Sequence, residues 1–343
     1  MKQRGIRGGA LVSMKSPRDP GFQGSIRTGV CGPGRMPHPS ANYMLRRLSR
    51  LACILAVPLC VRAAETTTPA SDDDLRIEGV FDSALPRTEP ARSARLIVHP
   101  HLGDLRRSDF LRTALGLRYG LTERWEAVTE VDWFFSHGLK ASPLLERKGL
   151  SSLHVGTKYR VGRLAAGPWE SSVGADFKRP VDHPPASVTD GLRHFSPYVT
   201  FSRDLPARPD WRVFWGAGYD FTAPTGIPGE RRKNEFAGDS ANLSAGFIHA
   251  RGPVTYTIET GYSWMTNGGG DGGVVMVRPG LVLVIPRKFT FGSKGRWLLG
   301  TAVQFAHGPD GADFRVSAKV RGNFDFLRLI GGRKSSAGDA TSK

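Results

Sequence analysis

The chain has 343 residues, 42 of them glycine, is 39% hydrophobic, and carries a formal net charge of +17. That length suits one large all-β domain or two ordinary ones, and the apolar content is low for a helical inner-membrane protein. The basic excess is not a nucleic-acid footprint, because residues 1–63 hold eleven Lys/Arg against the single acid Asp19 and the later charges are dispersed.

All three cysteines (Cys31, Cys53 and Cys60) precede residue 64, so the chain beyond has neither a disulfide framework nor a cysteine zinc site. Residues 1–43 are rich in Arg, Gly and Pro without periodicity, and read as a misassigned start or a disordered extension. A secretory leader follows over 44–63: Met44, the basic Arg46, Arg47 and Arg50, and the apolar run Leu51–Val61, too short to span a bilayer as a helix. Val61 and Ala63 supply small residues at −3 and −1, so cleavage is expected after Ala63, with Ala64 as the alternative. Leu59 before Cys60 fits a lipid-attachment signal poorly. Residues 64–92, polar and punctuated by Pro69, Pro86 and Pro90, read as a flexible periplasmic linker.

From residue 93 the period is two. Leu111, Thr113, Leu115, Leu117, Tyr119 and Leu121 alternate with Arg112, Ala114, Gly116, Arg118 and Gly120. After the turn 122–124, Trp125, Ala127, Thr129, Val131, Trp133 and Phe135 alternate with Glu126, Val128, Glu130, Asp132 and Phe134. One face of such a strand is apolar and the other small or charged. The pattern predicts twelve strands, at about 93–101, 111–121, 125–135, 151–162, 169–179, 194–203, 211–222, 240–250, 254–265, 274–285, 297–307 and 312–326, with Pro279 disturbing the tenth. Connections alternate between short (122–124, 163–168, 204–210, 251–253) and longer ones rich in Gly, Pro and charge (136–150, 180–193, 223–239, 266–273), although 286–296 is long for a turn and 308–311 short for a loop. Short periplasmic turns and long external loops mark bacterial outer-membrane barrels.

A soluble sandwich also alternates. Three features favour lipid: the charged and glycine-rich second face, strands of about 11 residues that climb roughly 28 Å when tilted, and tryptophan placement. Trp125, Trp169, Trp211 and Trp297 open strands, Trp133 and Trp264 lie near the opposite ends, and only Trp215 is central. Indole rings favour the boundary of water and hydrocarbon, so the six are expected to form two girdles. The expected fold is all-β, a closed antiparallel transmembrane β-barrel of about twelve strands over 93–326, with ten or fourteen as alternatives and a polar tail at 327–343.

The stretches GLRYGLTERWEAVTEVDWFF (116–135) and GLSSLHVGTKYRVG (149–162) resemble the phenol-degradation (meta-pathway), transporter-like family of Gram-negative outer-membrane β-barrel proteins. The resemblance implies passage or binding of small organic molecules, aromatic ones among them. One departure is that Phe326, the aromatic residue nearest the expected C-terminal insertion signal, is followed by seventeen further residues.

Alternation places Arg112, Arg118, Glu126, Glu130 and Asp132 in the lumen together, with Arg118 diagonally between Glu126 and Glu130. Lys158, Arg160, Glu170, Asp176, Lys178, Arg212, Asp220, Glu259, Arg315, Lys319 and Arg321 also face inward. These charges form either a salt-bridge ladder that stiffens a narrow barrel or a constriction that selects solutes, with a weak anion preference. His194 and Ser196 have the spacing of a barrel lipid hydrolase, but Arg208 stands near where an orienting Asn is wanted, and both face the lumen. Asn267–Gly273 holds one copy of a glycine–aspartate pattern, not a repeat. No phosphate loop, zinc signature or dinucleotide fingerprint is present, so no cofactor or metal is expected. The sequence thus points to an exported outer-membrane channel of the porin kind, not an enzyme, with membrane lipid and a small organic solute as partners. A non-conducting structural barrel is the second reading and an outer-membrane lipid hydrolase the third.

Overall fold

The computed structural model describes residues 81, 83–139, 148–164, 167–266, 272–289 and 297–324. The leader, the preceding extension, Phe326, the C-terminal tail and most of Asn267–Gly273 lie outside the described residues.

Twelve strands follow one another: β1 (Ala94–Pro100), β2 (Phe110–Gly120), β3 (Trp125–Ser136), β4 (Lys148–Arg163), β5 (Glu170–Pro180), β6 (Leu192–Leu205), β7 (Arg208–Pro224), β8 (Ser240–Arg251), β9 (Val254–Met265), β10 (Gly273–Ile285), β11 (Trp297–Gly308) and β12 (Gly311–Phe324). Each pairs antiparallel with its chain neighbours, and β1 pairs with β12 from Ala94–Phe324 to Val98–Val320, which closes the barrel. The number and order of strands match the period-two reading. A four-residue helix, α1 (Asp104–Arg107), sits between β1 and β2 and has no counterpart in the sequence pattern.

The faces are inverted relative to a soluble protein. Leu115, Leu117, Trp125, Val155, Phe177, Trp215, Tyr262, Val277, Phe305 and Phe314 are exposed on the outer surface, whereas Glu126, Lys158 and Glu259 are almost wholly buried inside. Among the described residues no helix is long and apolar enough to cross a membrane, so any crossing falls to strands, whose closed ladder satisfies the backbone polar groups. Trp125, Trp133, Trp211, Trp264 and Trp297 occupy outward positions near strand ends, and Trp169 stands just before β5. Trp125 donates its indole N–H to Thr157 Oγ1 at 2.6 Å, and Trp211 stacks on His249 at 4.5 Å. The central Trp215 stacks on Phe201 at 4.1 Å.

The irregularities have local causes. Pro279 lies inside β10, keeping its pairing with Ile258 of β9, while the β10–β11 ladder skips from Val277–Phe305 to Gly280–Ala302. Pro197 breaks the β6–β7 ladder between Phe195–Phe221 and Tyr198–Gly218. Each proline lacks the N–H that one ladder would use, and each faces outward. At the end of β4 the register to β5 shifts at Arg160/Gly162, where Gly162 takes a φ of +98°, a conformation that suits a bulge.

Substituting Leu115→Arg, in the middle of the outer apolar band, is expected to cost about 2–4 kcal/mol, and Leu121→Arg, just past the turn end of β2, about 0–1. Guanidinium unfolding in phospholipid vesicles measures both. Equal losses at the two positions would contradict a hydrocarbon-facing band.

Candidate functional site

The sequence predicts a flexible linker over residues 64–92, outside the barrel. Residues 81 and 83–89 enter the lumen instead. Leu85 is fully buried and Phe81 nearly so, in a cluster with the inward-facing Phe214, Ile248 and Ala302, against which Val282 packs. Two glycines make room for the Phe81 ring: a Cβ on Gly280 would lie 2.4 Å from it and one on Gly300 3.1 Å. Burying two such side chains stabilises the inserted segment by roughly 1.5–3 kcal/mol each. A polar sequence with three prolines carries no periodic signal, and the apolar contacts of Phe81 and Leu85 are formed only with the distant strands.

The main chain of this plug is gripped by charges from the barrel wall. Glu259 on β9 accepts the Phe81 N–H at 2.5 Å and the Ser83 N–H at 3.2 Å, while Lys319 on β12 donates to the Phe81 carbonyl. From the other side, Glu126 on β3 accepts the Glu89 N–H at 2.8 Å, and Lys158 on β4 donates to the carbonyls of Leu85 (3.2 Å) and Arg87. Glu89 itself pairs with Arg95 on β1 at 2.8 Å.

The expected lumen charges fall on inward positions, but their partners differ in part from expectation. Arg118 pairs with Glu126 at 3.1 Å, and Lys158 lies 3.5 Å from the same carboxylate. Glu130 turns to His154 at 4.0 Å, and His154 reaches Asp176 at 3.2 Å. Asp132 accepts from Ser152 at 2.6 Å and pairs with Lys178 at 3.2 Å. Arg112 pairs with Asp104 of α1 at 3.1 Å, a partner the sequence does not reveal. Arg160 pairs with Glu170 (3.0 Å), Arg212 with Asp204 (2.7 Å) and Arg315 with Asp313 (2.9 Å). Arg321 lies opposite Ile97 on the inner face of the β1–β12 seam.

His194 and Ser196 do not form a nucleophile–base pair. His194 Nδ1 lies 2.8 Å from Asp220 Oδ2 and Nε2 lies 2.8 Å from Asp190 Oδ2, so both ring nitrogens face carboxylates. Ser196 donates its hydroxyl to Asp220 at 2.8 Å. Burial works to raise the Asp190 carboxyl, and hydrogen bonds from His194 and the Leu192 N–H outweigh it, holding the group below the usual range.

The loop end carries a strap. Residues 225–239 leave β7 and reach β12 and α1, which lie across the ring. Arg231 forms a bidentate pair with Asp310 at 2.8 and 3.1 Å, and Asn234 and Asp310 exchange hydrogen bonds of 2.9 and 3.2 Å. Arg232 reaches Asp104 at 3.2 Å, and the Glu230 N–H bonds to Thr189 at 2.9 Å. Between plug and strap lies a chamber of about 810 Å³, lined by Phe81, Arg112, Asp176, His194, Arg232 and Lys319 among others. Among the described residues no cluster of His, Cys, Asp and Glu is arranged to hold a metal ion.

Fold and lining together define a class: a closed antiparallel barrel with an apolar exterior and a charged, plugged lumen. No family model matches the chain, and neither does any curated protein. Among solved structures, the COG4313 outer membrane channel from Pseudomonas putida F1 is similar at 14% identity, with a TM-score of 0.48, over 71% of this chain and 100% of that one. The KdgM porin is similar at 12% identity, TM-score 0.43, over 68% and 99% of the two chains. The NanC porin is similar at 12% identity, TM-score 0.40, over 67% and 97%.

Two outcomes test this geometry. Lys158→Met removes one partner of a buried ion pair and is expected to destabilise the barrel by about 3–5 kcal/mol; the double variant Lys158→Met/Glu126→Gln should recover part of that loss in guanidinium unfolding. The Arg231 hydrogen bonds hold the Asp310 carboxyl below the usual range. A depressed carboxylate stabilises above its unfolded pKa and loses that contribution as pH falls through the folded value. The latch is therefore expected to hold at neutral pH and release only in acid below the ordinary carboxylate range, whereas Asp310→Asn releases it at neutral pH. Cleavage by trypsin at Arg231–Lys233 reads the neutral-pH variant, and a fluorophore–quencher pair on strap and turn reads the acid titration.

Proposed function

We propose that the protein is an outer-membrane channel through which small organic solutes, aromatic ones among them, pass by diffusion, with no chemical step. The observation that carries this reading is the charge-lined chamber inside a ring whose exterior is apolar. Such an interior offers both ionic and apolar contacts to a solute that enters. The leader read over 44–63 supports export, and the short-turn and long-loop ends support placing the loops outside the cell. The six girdle tryptophans then act as interface anchors, and the lumen charges from Arg112 to Arg321 act as the selectivity lining.

A second reading, a non-conducting barrel, is favoured by one observation: the plug and the strap obstruct the two ends of the chamber. Removing the plug separates the two readings. In planar bilayers, the intact protein is expected to show small or rare conductance steps, and deletion of residues 81–89 to raise conductance severalfold. A deletion variant that inserts but stays silent would sink the channel reading. Reversal potentials in a salt gradient test the weak anion preference, which a cation-selective current would refute.

A further inference from the structure

The outer face of β6 carries Arg193, Phe195, Pro197, Val199, Phe201 and Arg203. The charges stand only at its two ends, ten residues apart. At ~3.3 Å per residue and a ~40° tilt, that separation is roughly 25 Å of height, which equals the apolar band of an outer-membrane barrel. The two guanidinium groups therefore stand at opposite edges of the hydrocarbon. At the turn-side edge Arg203 lies over the Trp169 ring, 5.2 Å from its centroid.

The loop-side edge is different. Lys178 pairs with His194 across β5 and β6, and Arg179 and Arg193 are the next residues outward along these two antiparallel strands. Two exposed arginines thus stand side by side. Directly beneath them the exposed Phe177 and Phe195 face each other in register. Their outer flanks are neutral: Arg179 is opposite Leu153 of β4, and Arg193 is opposite Ala223 of β7. Nearby carboxylates are engaged elsewhere, Asp176 by His154, Asp190 and Asp220 by His194, and Asp182 with His183. Among the described residues no carboxylate pairs with either arginine.

Like charges side by side on neighbouring strands are destabilising, and the edge of a hydrocarbon layer screens them poorly. An anion between them reverses the sign of the interaction. Guanidinium forks match phosphate oxygens bidentately, and the aromatic pair below offers an apolar surface for acyl chains.

We propose that Arg179 and Arg193 form a headgroup site for a phosphorylated glycolipid of the outer leaflet. The site rests on reading the loop end as the cell exterior, and it is separate from the lumen, so it adds a lipid partner to the channel and not a route through it.

The test uses the full barrel in non-ionic detergent and native mass spectrometry with diphosphoryl lipid A. Wild type is expected to retain the glycolipid, and Arg179→Gln/Arg193→Gln to lose at least ten-fold in occupancy, with heat-modifiable gel migration confirming that the variant is folded. Arg179→Lys/Arg193→Lys should recover part of the binding, and Arg203→Gln should leave it unchanged. Dephosphorylated lipid A and inorganic phosphate should both fail to compete. Unchanged occupancy in the double glutamine variant, an equal loss in Arg203→Gln, or equally tight binding of phosphatidylglycerol would each overturn the proposal. Conductance of the plug-deleted channel should not change with the glutamine pair, so a failure here leaves the channel reading standing.

Discussion

The closed hydrogen-bond ladder is the constraint on which the rest depends. An open sheet in lipid would leave a row of N–H and C=O groups without partners at its edges, and hydrocarbon supplies none. Pairing β1 with β12 removes both edges at once. Closure then dictates the sorting of side chains, because a ring has one surface toward lipid and one toward its own axis. Positions of one parity become Leu, Val, Phe and Trp, and those of the other become Gly, Ser and charge.

The interior inherits a problem from this sorting. Ions taken out of bulk water need partners with good geometry, or they are costly. In this lumen some partners are other side chains, as in Arg118 with Glu126 and Arg160 with Glu170. Others are main-chain groups of the plug: Glu259 and Lys319 at Phe81, Glu126 and Lys158 at Leu85 to Glu89. The segment that obstructs the channel is thus also what satisfies its deepest charges, so occlusion and stability are coupled.

The barrel is legible in the sequence because its cause is local. Alternation at Leu111–Leu121 or Trp125–Phe135 is a property of neighbouring residues, and twelve such segments define strand number, order and face. The inward positions of Glu126, Lys158 and Glu259 follow from the same parity. Partners are less legible. Parity sets Arg112 near Asp132, but it pairs with Asp104 of a four-residue helix that no pattern announces. The strap contacts of Arg231 and Arg232 join residues more than seventy positions apart. The plug reads as a linker because its composition is polar, and its two apolar side chains find their pocket only once β7, β8, β10 and β11 stand together.

The hold on the plug has an evolutionary corollary. Most of its tethers seize peptide carbonyls and amides, which every residue type except proline offers alike. Ala84 can therefore drift without loosening the moorings, while Phe81, seated between Gly280 and Gly300, and the fully buried Leu85 cannot. Divergent descendants would keep the stopper and lose much of its spelling, with a few buried letters left as the trace.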